Sequence, residues 1–185
     1  MHLSRIVSTV AASALSLTAV AAVSTGAEAA DSVTVTPLHF KVTVGPDDST
    51  ECDIVGDLYL PSTASASQPV PALLTTNGFG GSKDDQAGIG QEFASRGYAV
   101  LSYSGLGFGG SDCKITLDDP DFDGKAASQL VSYLGGASGI AFTDDTHTTA
   151  APPLTVVTKD RRDNAGRRSA FDPRVGMIGG SYGGQ

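Results

Sequence analysis

Near residue 180 a serine stands between two glycines, each two positions away, directly after a short apolar run: Val175-Gly176-Met177-Ile178-Gly179-Gly180-Ser181-Tyr182-Gly183-Gly184. This order suits a nucleophile elbow, in which a strand turns sharply into a helix and lifts a serine hydroxyl to the tip of the turn. Such a turn is strained, and a Cβ at either flanking glycine would meet its neighbours. A serine attacks a carbonyl once a base takes its proton and donors stabilise the oxyanion that forms. The backbone N–H of Tyr182, next after the serine, is one expected donor. A second is expected from a glycine-rich loop after an earlier strand, and Asn77-Gly78-Phe79-Gly80-Gly81 stands there. The backbone N–H of Phe79 is assigned this role, since glycine lets the chain approach a substrate closely.

Other motifs compete with this reading. Gly105-Leu106-Gly107-Phe108-Gly109-Gly110 satisfies the G-x-G-x-x-G dinucleotide fingerprint. That fingerprint must open a helix whose N-terminus meets the pyrophosphate. Here Ser111-Asp112-Cys113-Lys114-Ile115-Thr116 follows, an extended segment with Pro120 soon after, so the motif is read as a tight loop under the rim of the site. No cofactor is implied. Lys159, Arg161, Arg162, Arg167, Arg168 and Arg174 make up half of the 12 basic residues. They read as a solvated loop paired with Asp160, Asp163 and Asp172, with a substrate-carboxylate or partner site as the sharper alternative. Asp118, Asp119, Asp121 and Asp123 read as a turn and a helix start rather than a calcium loop, whose spacing they lack.

The elements that must position these residues follow from patterning. Residues 33–44 alternate as a strand, residues 45–48 have turn chemistry, and residues 52–60 resume a strand, giving a hairpin. Residues 61–71 form a polar loop, and residues 72–76 a short buried strand. Residues 83–96 are predicted helical, closed by Gly97 as a C-terminal cap. Residues 98–103 form a central strand. Over residues 123–134, Ala127, Leu130, Val131 and Leu134 fall on one helical face. Residues 136–170 are irregular, and residues 174–178 form the strand leading to Ser181. Strands alternating with helices after a hairpin specify a mostly parallel sheet covered on both faces, with ligands at the carboxyl ends of its strands.

Composition narrows the partners. The formal charge of −8 argues against nucleic acid and anionic membrane surfaces. The first five residues are basic in character, residues 6–23 are apolar or small, and Ala27-Glu28-Ala29 offers a small-x-small cleavage site. Residues 1–29 are therefore read as a signal peptide, leaving about 156 residues as a single exported domain without a retained membrane anchor. In an oxidising compartment the pair Cys52 and Cys113 is read as bridged. No histidine or third cysteine near them in sequence points to a metal. The bridge would close a loop of about 60 residues and contribute roughly 4 kcal/mol on the chain-entropy model.

The segment Asp172-Pro173-Arg174-Val175-Gly176-Met177-Ile178-Gly179-Gly180-Ser181-Tyr182-Gly183-Gly184 resembles the nucleophile region of the Xaa-Pro dipeptidyl-peptidase and cocaine-esterase group of α/β-hydrolases. Residues 76–83 and 107–111 resemble its loops. The resemblance runs from about Val33 to Gln185. It implies an α/β-hydrolase fold and a Ser, Asp, His triad with Ser181 as nucleophile. Members often add a tyrosine hydroxyl to the oxyanion hole; the nearest residue here is Phe79, so backbone donation alone carries over.

In this fold the acid and histidine follow the serine, and only Tyr182, Gly183, Gly184 and Gln185 follow it here. Of the three histidines, His2 leaves with the leader. His39 lies in the first strand as a structural edge residue. His147 lies in a polar loop that could in principle approach the site. Two readings result. One is the amino-terminal part of a secreted serine hydrolase acting on a small ester or peptide substrate. The other is an exported remnant or binding module that lacks the catalytic acid and histidine.

Overall fold

Alternating apolar residues in β1 (Val33–Val44) and β2 (Thr50–Pro61) pair antiparallel along their full length, from Val33 opposite Pro61 to Val44 opposite Thr50. Gly45 and Asp48 take positive φ in the turn between them. The computed structural model describes residues 32–163 and 165–184, so the leader expected over residues 1–29 and His2 lie outside the described residues.

The short apolar runs β3 (Ala72–Thr76), β4 (Ala99–Tyr103) and β6 (Val175–Gly179) are parallel, while β2 meets β4 antiparallel. With β5 (Ala141–Phe142) they form one six-stranded sheet in the order β5-β1-β2-β4-β3-β6. The predicted helix over residues 83–96 divides into a 3-10 turn, Lys83–Gln86, and α1 (Ala87–Ala94). Ser82 and Asp85 cap the turn reciprocally. Gly97 takes the left-handed conformation expected of a helix terminator. The second predicted helix begins as one π turn, Pro120–Gly124, and continues as α2 (Lys125–Leu134). Asp119 opens it by accepting from the Asp121 N–H.

Successive strand residues face opposite sides of a sheet, and β3 and β4 show this directly. Leu74 and Leu101 join Phe40, Ile54, Leu130 and Leu134 in the larger core under α2. Leu73 and Val100 join Tyr59 and Ala94 in the smaller core under α1. Helices therefore cover both faces, which is why these strands are apolar throughout instead of alternating. Cys52 and Cys113 are bridged, with Cα atoms 5.8 Å apart. Among the described residues no helix is long and apolar enough to cross a membrane.

Candidate active site

The five residues of β6 run beside β3 in parallel register, Leu74 opposite Met177 and Thr76 opposite Gly179. The chain then turns abruptly into the 3-10 turn Ser181–Gly184. Ser181 has a φ of 56°, a left-handed conformation that serine rarely adopts. Such backbone persists only where its surroundings force it. Here the flanking glycines permit it. A Cβ on Gly179 would lie 1.7 Å from the Gly183 carbonyl oxygen, and one on Gly183 would lie 2.6 Å from that of Thr76. The Ser181 side chain is exposed at the carboxyl end of β6, and its hydroxyl bonds to no group among the described residues.

The loop after β3 closes over the same point. A Cβ on Gly78 would stand 3.6 Å from the Ser181 Cβ and 3.5 Å from the Gly180 carbonyl oxygen. The N–H of the next residue, Phe79, donates to no group among the described residues. Its ring, 67% exposed, forms an edge-on cluster with Phe108 and Tyr182, at centroid separations between 5.3 and 6.1 Å. The Tyr182 hydroxyl donates to Asp123 at 3.5 Å and accepts from the Asp118 N–H at 3.3 Å. Burial, with the nearby Asp123 and Asp118 charges behind it, pushes the Tyr182 phenol above its ordinary value.

One end of the Asn77–Ser82 loop is fastened by an ion pair. Lys83 Nζ lies 2.7 Å from Asp57, which is 7% exposed, and 2.7 Å from Asp84. Burial pulls the Lys83 ammonium down, but the bonds to Asp57 and Asp84 outweigh it and hold the group above its ordinary range. The Lys83 N–H also donates to Ser104 Oγ, which ties this loop to the segment after β4.

That segment is the glycine-rich stretch of residues 105–110. No helix follows it; residues 111–119 are irregular until the π turn at Pro120. It lacks the helix N-terminus that a pyrophosphate requires. It forms instead the floor on which Phe108 meets Phe79 and Tyr182.

His39 and His147 lie elsewhere. His39 Nδ1 and His147 Nε2 each bond one oxygen of Asp53, at 2.8 and 2.9 Å. Asp53 belongs to β2, and β4 and β3 lie between β2 and β6. Neighbouring strands are spaced about 4.8 Å apart, which puts this cluster roughly 14 Å from the elbow across the sheet. His147 therefore does not approach Ser181. Its position was opaque in sequence because the partner that fixes it, Asp53, is 94 residues away.

The basic residues before β6 form a protruding hairpin. Asp163 pairs with Arg167 at 2.7 Å and Asp160 with Arg174 at 2.8 Å. Asp172 contributes its backbone carbonyl to the Asp160 N–H. Arg161, Arg162, Arg168 and Ser169 surround an open cavity of about 410 Å³. The hairpin enters β6 at its amino end, about 16 Å of strand from Ser181, so these arginines do not meet a substrate carboxylate at the serine. In the acidic run, Asp123 Oδ2 accepts from Thr116 Oγ1 and the Asp119 N–H, the bonding of a helix start. Among the described residues, the metal-type convergence of ligand atoms involves Cys52, Asp112 and Cys113, whose sulfurs are bonded to each other.

A family model described as X-Pro dipeptidyl-peptidase (S15 family) matches residues 50–185. No curated protein matches the chain. Among solved structures, hypothetical protein PA2218 from Pseudomonas aeruginosa is similar at 23% identity and a TM-score of 0.45, over 56% of this chain and 30% of that one. A ferulic acid esterase from Streptomyces cinnamoneus is similar at 18% identity and a TM-score of 0.42, over 87% of this chain and 55% of that one. The chain thus spans from under a third to just over half of the lengths of these two structures. With its strand order, its two covered faces and its match from residue 50 onward, the chain belongs to the X-Pro dipeptidyl-peptidase (S15) family of α/β-hydrolases.

Proposed function

We propose that the protein is an exported serine hydrolase in which Ser181 is the nucleophile and the backbone N–H groups of Phe79 and Tyr182 hold the oxyanion. The observation that carries this reading is the left-handed Ser181 at the tip beyond β6, with Gly78 packed against its Cβ. A base and an orienting acid must complete the site. In α/β-hydrolases both follow the serine in sequence. His39 and His147 are engaged with Asp53 and are not candidates.

Ser181 Oγ attacks the substrate carbonyl as the histidine takes its proton, and the carbonyl oxygen becomes the oxyanion. The intermediate collapses, the amine or alcohol leaves with that proton, and water then hydrolyses the acyl-serine by the same steps. Membership of the family favours cleavage after an Xaa-Pro dipeptide or of an acyl ester. Export is supported by the leader in the sequence, by the Cys52–Cys113 bridge and by the lack, among the described residues, of a membrane-spanning helix.

The test is fluorophosphonate labelling of the native protein recovered from culture fluid, with its intact mass. Labelling at Ser181, loss of both labelling and hydrolysis in Ser181→Ala, and a mass well above about 16 kDa, the size of residues 30–185 without the leader, are expected. Hydrolysis of Ala-Pro-p-nitroanilide against p-nitrophenyl butyrate separates peptidase from esterase. A mass near that value with no labelling would establish instead an exported remnant or binding module without turnover.

A further inference from the structure

The loop after β3 is anchored by a buried side chain that the proposed chemistry leaves unused. Asn77 is 1% exposed. Its Oδ1 accepts from the Gly105 N–H at 2.9 Å. A backbone N–H only donates, so this contact settles which amide atom of Asn77 is oxygen. The other atom, Nδ2, donates to the Gly78 carbonyl oxygen at 2.8 Å. The Gly81 N–H reaches the same oxygen at 3.0 Å.

The Gly78 carbonyl and the Phe79 N–H belong to one planar trans peptide and point in opposite directions. Fixing the carbonyl therefore fixes the N–H. We propose that Asn77 is a positioning residue for the oxyanion: by holding the Gly78 carbonyl it keeps the Phe79 N–H free and aimed where charge develops on the substrate. This rests on Ser181 being the nucleophile. A donor held in place beforehand needs no reorganisation as the oxyanion forms, which is what makes such donors effective. Through Gly105 the same amide also grips the loop that carries Phe108, so the aromatic cluster and the donor share one anchor. Asn77 itself touches no reacting atom.

The experiment uses the full-length protein, a p-nitrophenyl ester or Xaa-Pro-p-nitroanilide as substrate, and an acyl boronate whose tetrahedral adduct places an oxygen at the oxyanion position. Asn77→Asp keeps the acceptor for Gly105 and loses the donor to Gly78. Asn77→Ser also loses that donor without adding charge, and it serves alone if the aspartate variant does not fold. Expected are a fall in kcat of about 10- to 100-fold, KM within about threefold, and a parallel loss of boronate affinity. Wild-type kcat and boronate affinity in the serine variant, or a change confined to KM or to Tm, would overturn the proposal. Ser181→Ala separates the two levels. If it still hydrolyses substrate, the assignment of the nucleophile fails. If it is inactive while Asn77→Ser is unimpaired, only the role of Asn77 fails.

Discussion

The elbow depends on two glycines whose absent side chains make room for backbone. At Gly183 a methyl group would lie 2.6 and 2.7 Å from the carbonyl oxygens of Thr76 and Asn77, which are backbone atoms and cannot rotate away. Gly183→Ala should destabilise the protein by about 1–3 kcal/mol, the usual cost of overpacking. It should also lower fluorophosphonate reactivity at Ser181, since β3 and the elbow must separate to admit it. Thermal melting together with labelling rate checks this; an unchanged melt and rate would show that the elbow tolerates a side chain there. The serine, its glycines and the loop of Phe79 were legible because each is a contiguous motif. Asn77 was not, because its bond to Gly105 crosses 28 residues and a lone buried amide has no sequence pattern.

At the scale of elements, the site is a junction of three loops, after β3, β4 and β6, and the first two are fastened differently. The Lys83 pairs and Ser104 fasten the first. The second is tied to β2 by the disulfide, by Asp112 accepting from the Asp53 N–H at 2.6 Å, and by Ser111 accepting from the Val55 N–H. Reducing or replacing the bridge, as in Cys52→Ser with Cys113→Ser, should cost roughly 4 kcal/mol on the chain-entropy model. Chemical denaturation of the double variant measures this, and amide exchange over residues 105–116 should accelerate first. Protection unchanged across that loop would mean that Asp112 and Ser111 suffice to hold it. The strands β1 to β4 and β6 and the two helical segments were read from periodicity. The predicted helix over residues 83–96 nevertheless splits, since Ser82, Asp84 and Asp85 satisfy a tight capped turn before the apolar face of α1 begins. β5 went unread because two residues are too few to show a period; only their pairing with His39 and Phe40 defines them.

Taken as a whole, the molecule buries three phenols, Tyr59, Tyr103 and Tyr133, and burial raises each of them above its ordinary value. Tyr133 packs edge-on against Phe40, and burial pushes its hydroxyl up to about 12. Tyr103 is raised to about 12 as well, chiefly by burial and against the lowering effect of its bond with Thr76. An unfolded tyrosine loses its proton near 10. Between the two values the folded chain binds more protons than the unfolded one, so stability falls as pH rises. The contribution is complete below about pH 10 and is lost as pH climbs through about 12. Ultraviolet titration of phenolate against denaturation midpoints at pH 9, 10 and 11 checks this. Titration of all five tyrosines near 10 in the folded protein would contradict it.

Local pattern alone determined the strand–helix order, the hairpin, the bridged cysteines and the serine at a strained turn, because each is encoded within a few residues or by a choice with one solution. Two cysteines allow one pairing, and a five-residue apolar run before glycine allows few conformations. Tertiary structure alone decided the order of strands and hence every distance across the sheet. It carried His147 to Asp53 and away from Ser181, and it placed the arginine hairpin at the amino end of β6, opposite the serine. Both outcomes rest on pairings between residues far apart in sequence, whose partners are chosen by burial and register, and no local spacing records that choice.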